Sequence, residues 1–510
     1  MSVIKMDVLL LTTIFLIILS LLYYYFTRTF NYWKSRNVRG PKPIIFFGNL
    51  KESALRRKHM GLVFKEIYDN FPNEKVVGVY RMTTPCLFLR DLDVIKHVMI
   101  KDFDCFEDRG IEFSKEGLGA NLFHADGDTW RVLRNRFTPI FTSGKLKNML
   151  YLITERGDKF VDYVQQISEQ CSDQEVYTLI QKYTLSTISA CAFGLDIDAL
   201  GDKSGAFQKL DKLVFSNKFI IELDMMFPGI LKKLNASFFP TEVTDFFYNL
   251  VKMVVTQRNG MPSNANDFMD ILLELRKQKV VTSSKKNANQ KELTLELTDS
   301  VMAAQAFVFY AAGYETSATT MTFLFYELAK NPDIQEKLRK EIDEVLEKNN
   351  GEVTYETLTD MTYMHKVFDE TLRMYPIVEP LQRNAKTDYH IPGTNVTLKK
   401  GQTVLVSPIA IHHDPQYYPE PEKFDPERFD PKFASGRHTS AYMPFGIGPR
   451  NCIGMRFAKV QSQVCITKFL SNFRVSVSKN TPKRVKINPL RGVMGPENGI
   501  ILNISPRKNH

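Results

Sequence analysis

The hydrophobic positions of this chain form one uninterrupted apolar run near its start, followed by a long body of mixed periodicity. The run extends from Val8 to Phe26 and contains no charged residue. A helix rises about 1.5 Å per residue, so a run of this length just spans a hydrocarbon core of about 30 Å. We therefore predict an N-terminal membrane anchor over residues 1–27.

The residues on either side of the apolar run indicate its orientation. Tyr23 to Tyr25 lie where an interfacial aromatic belt is expected, and Lys5 before the run is balanced by Asp7. The basic residues that follow the run are Arg28, Lys34, Arg36, Arg39 and Lys42. Because basic residues accumulate on the cytosolic side of a membrane, we expect the body in the cytosol. A cleaved signal peptide is the alternative, but no small-x-small cleavage site follows the run.

Segment 28–43 is basic and contains Gly40-Pro41-Lys42-Pro43, and each proline restricts the backbone around it. We predict that it is a hinge between the anchor and the body. No Pro/Gly/Ser-rich linker, low-complexity tract or repeat at solenoid spacing divides the sequence that follows. Residues 44–510 are therefore expected to form a single domain.

Helical periodicity dominates from about residue 60 to residue 380. The clearest helix starts at the N-cap pair Thr298-Asp299 and extends to Lys330, before Asn331-Pro332. A second helix covers about 361–374. Strand-like segments are shorter: 76–80 and 86–89 flank a Thr-Thr-Pro turn, and residues 396–406 alternate around Lys399-Lys400-Gly401 as a hairpin would. The predicted fold class is mainly α with a smaller β-rich portion (α+β).

The composition changes this picture little. With 44% hydrophobic and 24% charged residues, the chain is typical of a globular protein with one apolar end. The net charge of +10 arises from 67 basic residues dispersed among 57 acidic ones, and short basic runs such as 56–58 form no stripe for a nucleic-acid backbone. We expect no nucleic-acid partner, whereas an acidic protein or an anionic membrane surface would suit the excess charge.

Six cysteines are scattered through the chain, and no C-x-x-C pair indicates a zinc ribbon or covalent haem attachment. Cys452 differs from the other five by its surroundings, because it lies in the glycine-rich segment 445–454 directly before an amphipathic helix, about 455–470. Such a loop lets the backbone curl around one sulfur, and free N–H groups at a helix start stabilise a thiolate. Arg450 adds a cation two residues away. The pattern predicts that Cys452 ligates a metal as a thiolate.

Two other interpretations of this segment fit less well. Gly446-x-Gly448 could begin a dinucleotide-binding loop, but position 451 is Asn, so the third glycine is missing. A free nucleophilic thiol would need a base, and nothing in the sequence suggests that His438, the nearest histidine before it, serves as one.

Segment 445–454 resembles the haem-binding motif F-x-x-G-x-R-x-C-x-G of the cytochrome P450 family, and the resemblance extends over essentially the whole chain. Further family motifs occur in the expected order: Trp130-x-x-x-Arg134, Ala312-Gly-Tyr-Glu-Thr-Ser317, Glu370-x-x-Arg373 and Pro426-Glu-Arg-Phe429. The resemblance implies a cytochrome P450 fold, haem b as cofactor and Cys452 as the axial ligand of its iron.

The resemblance also implies roles for residues in these motifs. The cofactor-binding residues would be Trp130, Arg134, Arg383, Phe445, Arg450 and Gly454, with the arginines at the haem propionates. Glu370, Arg373 and Arg428 would form a structural triad that braces the cysteine loop. Thr316, with Glu315, would deliver protons to dioxygen, and Gly313 would weaken the helix to make room for oxygen. The alternative is a purely structural role, in which the Thr316 hydroxyl forms a hydrogen bond to the preceding turn of the helix.

The family's substrate-recognition regions imply an apolar pocket suited to a lipophilic small molecule. Its candidate residues are Phe113, Leu118, Phe123, Phe307, Ala311, Ala312, Ile377, Val378, Leu381, Val493 and Met494, although any of them could equally be a core residue. The chain has no nicotinamide or flavin motif, so the resemblance implies NADPH–cytochrome P450 reductase as electron donor, with cytochrome b5 as a further partner. The cations expected near the docking surface are Lys145, Lys147, Arg437, Arg456 and Lys459.

Segments 112–119 and 141–147 are similar to insect microsomal enzymes of the sixth cytochrome P450 family, especially from moths and butterflies. That similarity implies an endoplasmic reticulum membrane enzyme that oxidises plant allelochemicals, insecticides or other xenobiotics. An endogenous hormone or lipid hydroxylase is the alternative. A haem-thiolate isomerase is less consistent with the intact Glu315-Thr316 pair, and an electron carrier needs a second axial ligand, whereas segment 300–320 contains no histidine.

Overall fold

The computed structural model describes residues 2–111, 117–195, 205–215, 219–227, 229–234, 239–263, 267–277, 281–282 and 294–507. Its α-helices are α1 Ser2–Thr27, α2 Lys51–Ala54, α3 Met60–Asn70, α4 Leu92–Lys96, α5 Gly127–Phe137, α6 Ser143–Gln170, α7 Val176–Phe193, α8 Gly205–Phe215, α9 Phe219–Met226, α10 Ile230–Lys233, α11 Thr241–Gln257, α12 Phe268–Lys277, α13 Asp299–Lys330, α14 Pro332–Lys348, α15 Tyr355–Asp360, α16 Thr362–Met374, α17 Pro408–His412, α18 Pro431–Ala434 and α19 Met455–Asn472. Its strands are β1 Val76–Arg81, β2 Thr84–Leu89, β3 Asp173–Glu175, β4 Val281–Thr282, β5 Thr294–Leu295, β6 Leu381–Asn384, β7 Tyr389–His390, β8 Thr397–Leu398, β9 Thr403–Val406, β10 Phe473–Val477 and β11 Ile501–Pro506.

Helix α1 contains the apolar run. Its part Asp7–Thr27 has a mean hydropathy of 2.3 and is largely exposed, and only its end is covered by the body, where Phe26 is buried. Among the described residues, it is the one helix long and apolar enough to cross a membrane. The structure is therefore compatible with the predicted N-terminal membrane anchor.

Segment 28–43, which we predict to be a hinge, is packed against the body. Trp33 is buried, and its indole N–H donates to the Val79 carbonyl at 3.1 Å. The Thr29 hydroxyl donates to the Thr83 carbonyl at 2.6 Å. Close packing extends to Gly78, where a Cβ would lie 2.4 Å from the Trp33 ring. Since these contacts fix the first half of the segment to β1 and β2, it is not a free linker.

The largest sheet has the strand order β1-β2-β9-β6. Strands β1 and β2 form the predicted hairpin, with Val76 opposite Leu89, although its turn is at 82–83 and not at the Thr-Thr-Pro segment. Strand β9 pairs in parallel with β2, with Cys86 opposite Thr403, and antiparallel with β6.

The hairpin predicted for residues 396–406 is wrong. Strand β8 pairs with β7 in a separate two-stranded sheet, whereas β9 belongs to the four-stranded sheet. Both strands have buried apolar residues such as Leu398 and Val404, so their alternation alone does not identify their partners.

Helix α13 crosses the interior over 32 residues, about 48 Å at the usual rise. Thr298 caps it by accepting from the Val301 amide, and it ends at Lys330, as predicted. It contacts α7, α11, α16, α19 and strand β10, which explains why its sequence is apolar on nearly all sides. The fold is mainly helical with a smaller β-rich portion, which confirms the predicted class.

Candidate functional site

The cysteine loop, residues 445–454, curls back on itself before α19. The Cys452 amide donates to the Phe445 carbonyl at 2.8 Å. Gly448 has a φ of +77°, and a Cβ at this position would lie 1.9 Å from the Met99 carbonyl oxygen. Both the left-handed backbone and the close approach of a second segment therefore require glycine at position 448.

The thiol of Cys452 lies inside the protein and still has accessible surface. Burial raises the pKa of Cys452, while the Gly454 N–H and the cations Arg134 and Arg109 act in the opposite direction. The expected stabilisation by the helix start is thus present at Gly454, but burial outweighs it. Accessible surface on a residue that protein atoms surround is consistent with a side chain that faces an open space inside the fold.

Arg450 does not supply the cation near the sulfur that we expect from its sequence position. Its guanidinium lies 3.3 Å from an Asp126 oxygen and donates to the carbonyls of Glu107 and Ala125. It also lies 4.9 Å from the centre of the Trp130 ring, within cation–π distance. Arg450 therefore ties the cysteine loop to the segments before and within α5.

Arginines converge beside the cysteine loop. Arg134 donates to the backbone carbonyl and to the side-chain oxygen of Asn451, both at 2.8 Å. Arg383 is buried, and burial followed by repulsion from Arg450 lowers its pKa to about 9. Burial, Arg450 and Arg383 likewise lower the pKa of Arg109. This concentration of buried and half-buried positive charge suits a ligand that carries carboxylates.

Unsatisfied donors remain in this arginine group. Within the described residues, Nε of Arg383 and Nε of Arg450 have no hydrogen-bond acceptor, and both are buried. Buried donors of this kind are normally paired, so unpaired donors on two neighbouring arginines, one of them in the cysteine loop, fit a bound group with anionic substituents. Sequence reasoning missed Arg109, because it belongs to no spaced motif and only the fold brings it to Arg383 and Arg450.

Helix α13 presents one accessible patch in an otherwise buried stretch. Ala312 is exposed and Thr316 is half-buried, and residues four apart share a helix face. Ile453 and Ala311, the neighbours of Cys452 and Ala312, pack against the same hydrophobic cluster. The accessible patch and the cysteine loop therefore both adjoin this hydrophobic cluster. The Thr316 hydroxyl donates to the Ala312 carbonyl at 2.6 Å, which is the hydrogen bond to the preceding turn expected for a purely structural role.

Gly313 has a packing role that differs from our expectation. A Cβ at this position would lie 2.7 Å from Cδ1 of Ile188 in α7 and 3.9 Å from the Phe457 ring in α19. The helix continues without a break at Gly313. The glycine therefore permits the close approach of α13 and α7, and the structure gives no sign that it loosens the helix.

The carboxylate of Glu315 points to a different set of partners from Thr316. It is fully buried, lies 2.9 Å from Nη2 of Arg491 and accepts hydrogen bonds from the Tyr177 hydroxyl and from Gln181. Burial raises the pKa of Glu315, and the Arg491 charge is the largest influence that lowers it. Arg491 was not recognised in the sequence, because its partners are more than a hundred residues away.

The structure brings Glu370, Arg373 and Arg428 together. Nε and Nη2 of Arg373 donate to the two Glu370 oxygens at 2.7 and 2.9 Å, and Nε of Arg428 lies 3.5 Å from Glu370. Arg373 and Glu370 have no accessible surface. The preceding residue, Asp369, accepts from the Tyr442 hydroxyl at 3.2 Å and pairs with Lys459 at 3.1 Å. Helix α16 is thereby linked to both sides of the cysteine loop.

The pocket candidates fall into two groups. Those with accessible surface are Phe123, Ala311, Ala312, Val378, Leu381 and Val493. Those that are buried in the hydrophobic core are Leu118, Phe307, Ile377 and Met494, the last against Gly61. Phe113 lies outside the described residues. The residues of the first group can contact a ligand, and those of the second group belong to the core that packs beneath the pocket surface.

Residues 38–504 match the family model of cytochrome P450. The chain belongs to the cytochrome P450 family. Cytochrome P450 6B2 of Helicoverpa armigera is 61% identical over 485 residues, which are 95% of this chain and 96% of that protein. Cytochrome P450 6B1 of Papilio polyxenes is 59% identical over 95% of this chain and 97% of its own length. Cytochrome P450 6a8 of Drosophila melanogaster is 36% identical over 94% of this chain and 96% of its own length. The resemblance to sixth-family enzymes of moths and butterflies is confirmed.

Family membership establishes the class of chemistry. The protein is a haem-thiolate monooxygenase that uses dioxygen and electrons from NADPH, which a reductase supplies. When bound, the haem activates dioxygen, so that one oxygen atom enters an organic substrate. The accessible thiol and the buried arginines described above fit such a group, because its iron takes a thiolate and its propionates take cations.

Proposed function

We propose that this enzyme oxidises lipophilic small molecules, with Cys452 as the axial ligand of haem b. The observation that supports this most directly is the accessible Cys452 inside the protein, close to the charges of Arg134 and Arg109, with Arg383 beside Arg109. Phe445 and Gly454 shape the cysteine loop, and the Trp130 ring lies against the Arg450 guanidinium. Arg383 is the strongest candidate for a propionate contact, since its Nε has no acceptor among the described residues and, unlike Arg450, its guanidinium donates to a single carbonyl, that of Gln382.

Thr316 and Glu315 are proposed to deliver protons to dioxygen. Thr316 lies on the accessible face of α13, and its hydroxyl can exchange the Ala312 carbonyl for another acceptor. Glu315 holds a carboxyl group in the interior one residue away, where burial raises its pKa. Thr316→Ala should lower product formed per NADPH and raise hydrogen peroxide, and unchanged coupling would contradict the role of Thr316.

The substrate is proposed to be a plant allelochemical, an insecticide or another xenobiotic. Support comes from the accessible apolar residues Phe123, Ala312 and Val378, which suit an uncharged aromatic or aliphatic molecule. The test is a mass-spectrometric screen of such compounds with the full-length protein, reductase and NADPH. Oxidation of several unrelated xenobiotics supports the proposal, and selective oxidation of one endogenous hormone or lipid would replace it.

The reductase is proposed to dock on the cysteine side of the molecule. Two of the five predicted cations, Lys145 and Arg456, are exposed and have no acidic partner among the described residues. The other three are engaged within the protein: Lys147 pairs with Glu356, Lys459 with Asp369, and Arg437 stacks on Tyr418 at 4.3 Å. Arg456→Glu should therefore slow electron transfer from the reductase more than Lys147→Glu does, at unchanged substrate affinity.

The enzyme is proposed to reside in the endoplasmic reticulum membrane with its catalytic domain, residues 44–510, on the cytosolic face. The apolar helix α1 and the cations that follow it support this arrangement. Protease added to intact microsomes should digest the body, and protection of the body would contradict the orientation. Cytochrome b5 is proposed as a second electron donor, and its addition should raise product formed per NADPH.

A further inference from the structure

A buried network of ionic and hydrogen bonds surrounds Glu315. Its carboxylate lies 2.9 Å from Nη2 of Arg491, and Gln181 donates to it at 3.1 Å, in addition to Tyr177. The same Nη2 donates to Asp211 at 2.8 Å, and Nη1 of Arg491 reaches the second Asp211 oxygen at 3.3 Å. One guanidinium therefore holds two carboxylates inside the protein.

Arg491 dominates the electrostatics of this network. After the effect of burial, its charge is the largest influence on the pKa of Glu315, which it lowers, whereas the Asp211 charge raises that pKa. Without the guanidinium, two carboxylates would face each other in the interior with no cation between them. Since an uncompensated buried charge is strongly unfavourable, the position and ionisation of Glu315 both depend on Arg491.

Arg491 belongs to a short loop, residues 488–495, which we call the Arg491 loop. The Asn488 amide donates to the Gly495 carbonyl at 2.9 Å and closes the base of this loop. The Met494 amide donates to the Ile377 carbonyl at 2.9 Å, and the Gly492 amide to the Phe215 carbonyl at 3.3 Å. The loop thus joins the end of α8 to the segment after α16.

The side chain and the backbone of Arg491 are both held in place. Its guanidinium lies 5.7 Å from the centre of the Phe215 ring and 5.8 Å from that of Tyr177. The imidazole of His59 forms a hydrogen bond to the backbone of Arg491. A displacement of the loop therefore moves the guanidinium, and with it the partner of Glu315.

We propose that Arg491 is a positioning residue for proton delivery, and that the Arg491 loop couples the Glu315 carboxylate to the contents of the substrate pocket. The loop can do so because it carries Val493 and is bonded to Ile377, both pocket candidates. This inference rests on the proposed role of Glu315. The step concerned is a proton transfer: Glu315 releases a proton towards Thr316 and regains one from water, and no electron passes through the pair.

The first test compares Arg491→Gln with Arg507→Gln in the full-length enzyme, with reductase, NADPH and 7-ethoxycoumarin. Arg507 is the matched control, since it forms a similar two-pronged pair with Asp343, at 2.8 and 2.7 Å, close to the C-terminus. We expect Arg491→Gln to lower product per NADPH by about tenfold, with a matching rise in hydrogen peroxide, and Arg507→Gln to leave the ratio unchanged. Equal coupling in both variants would overturn the proposal.

The second test needs no turnover. Hydrogen exchange of the amides in residues 488–495 is measured by mass spectrometry with and without 7-ethoxycoumarin. The compound should slow exchange of the Arg491 loop in the wild-type protein and have little effect in Arg491→Gln. If the loop responds to the compound equally in both proteins, Arg491 does not provide the coupling.

Two further variants separate the possible failures. If Arg491→Gln does not fold, the same coupling measurement is made on Arg491→Lys. This variant keeps the positive charge, but one ammonium cannot reproduce the planar fork between two carboxylates. Reduced coupling at wild-type thermal stability supports the proposal, and wild-type coupling overturns it. Glu315→Gln tests the underlying function: unchanged coupling refutes the role of Glu315 itself, whereas a loss in Glu315→Gln but not in the Arg491 variants refutes only the inference on Arg491.

Discussion

The backbone amide of Met443 donates a hydrogen bond to Nε2 of His412 over 3.0 Å, two residues before the cysteine loop. His412 is fully buried, and burial holds its pKa well below the ordinary range, so the ring is a neutral acceptor. The carbonyl of His412 accepts from Arg373 at 2.9 Å. One histidine therefore connects the buried arginine of α16 to the segment that leads into Cys452.

Replacing this histidine should loosen the cysteine loop. In His412→Leu, the buried Met443 amide loses its acceptor, which costs about 1–3 kcal/mol. We expect a lower thermal midpoint and a smaller fraction of protein that retains haem on mild heating, because haem binds the folded state. His390→Leu is the control, because His390 is exposed. Equal haem retention in the two variants would show that the bond to Met443 does not support the loop.

Alanine substitutions at two glycines of the cysteine loop distinguish the effect of backbone strain from the effect of a steric clash. Gly446 and Gly448 have similar φ angles of +71° and +77°. A Cβ on Gly446 has its nearest neighbour at 3.8 Å, whereas one on Gly448 would lie 1.9 Å from the Met99 carbonyl. Gly446→Ala should cost about 1–2 kcal/mol from strain alone. Gly448→Ala should cost more and reduce haem incorporation, as measured by the ratio of haem to protein absorbance; equal effects would contradict this explanation.

The ion pairs of Glu370 should differ in their contribution to stability. Arg373 has no accessible surface and donates two bonds to Glu370, so Arg373→Ala should cost about 3–5 kcal/mol by leaving a buried charge. Arg428 lies farther from Glu370, at 3.5 Å, and its loss should cost clearly less. Thermal denaturation of the two variants checks this order, and the reverse order would show that Arg428 carries the triad.

Stability should fall in mild acid because of His59. Burial lowers the pKa of His59 from 6.5 to about 4 in the folded protein. Between these values the unfolded chain binds a proton that the folded protein does not, so the free energy of unfolding decreases as the pH falls from 6.5 towards 4. This group contributes up to about 1.4 kcal/mol per pH unit.

His59→Asn tests this contribution. Asparagine can still cap α3, where the imidazole now accepts from the Gly61 amide. The free energy of unfolding, measured with denaturant at pH 7 and pH 5, should depend less on pH in the variant. The difference corresponds to at most one bound proton. An unchanged pH dependence would assign the acid sensitivity to other groups.

Local patterns were sufficient to predict the elements that carry the site. Helices α13, α16 and α19 were predicted within two residues at each end. The N-cap Thr298 marks the start of α13, and Pro332 and Pro376 mark the ends of α13 and α16. The segment around Cys452 was identified from its glycines and its position before a helix. The mainly helical class follows from the same periodicities.

Long-range pairing is what the sequence did not reveal. Strand β9 joins β2 across more than three hundred residues, and its alternation resembles that of a local hairpin with β8. Arg109 and Arg491 belong to no motif, and their importance arises only when the fold places them beside Arg383 and Glu315. The direction of the Glu315 side chain likewise depends on where α7 packs against α13.

The absorption spectrum of the reduced, carbon-monoxide-bound enzyme tests the central claim most directly. Cys452→Ser is compared with Cys465→Ala, since Cys465 is a buried cysteine in helix α19, which follows the cysteine loop. Thiolate ligation by Cys452 predicts a band at about 450 nm in the wild-type protein and in Cys465→Ala, and its absence in Cys452→Ser. A band at about 420 nm in folded wild-type protein, or a band at about 450 nm that survives in Cys452→Ser, would contradict the account.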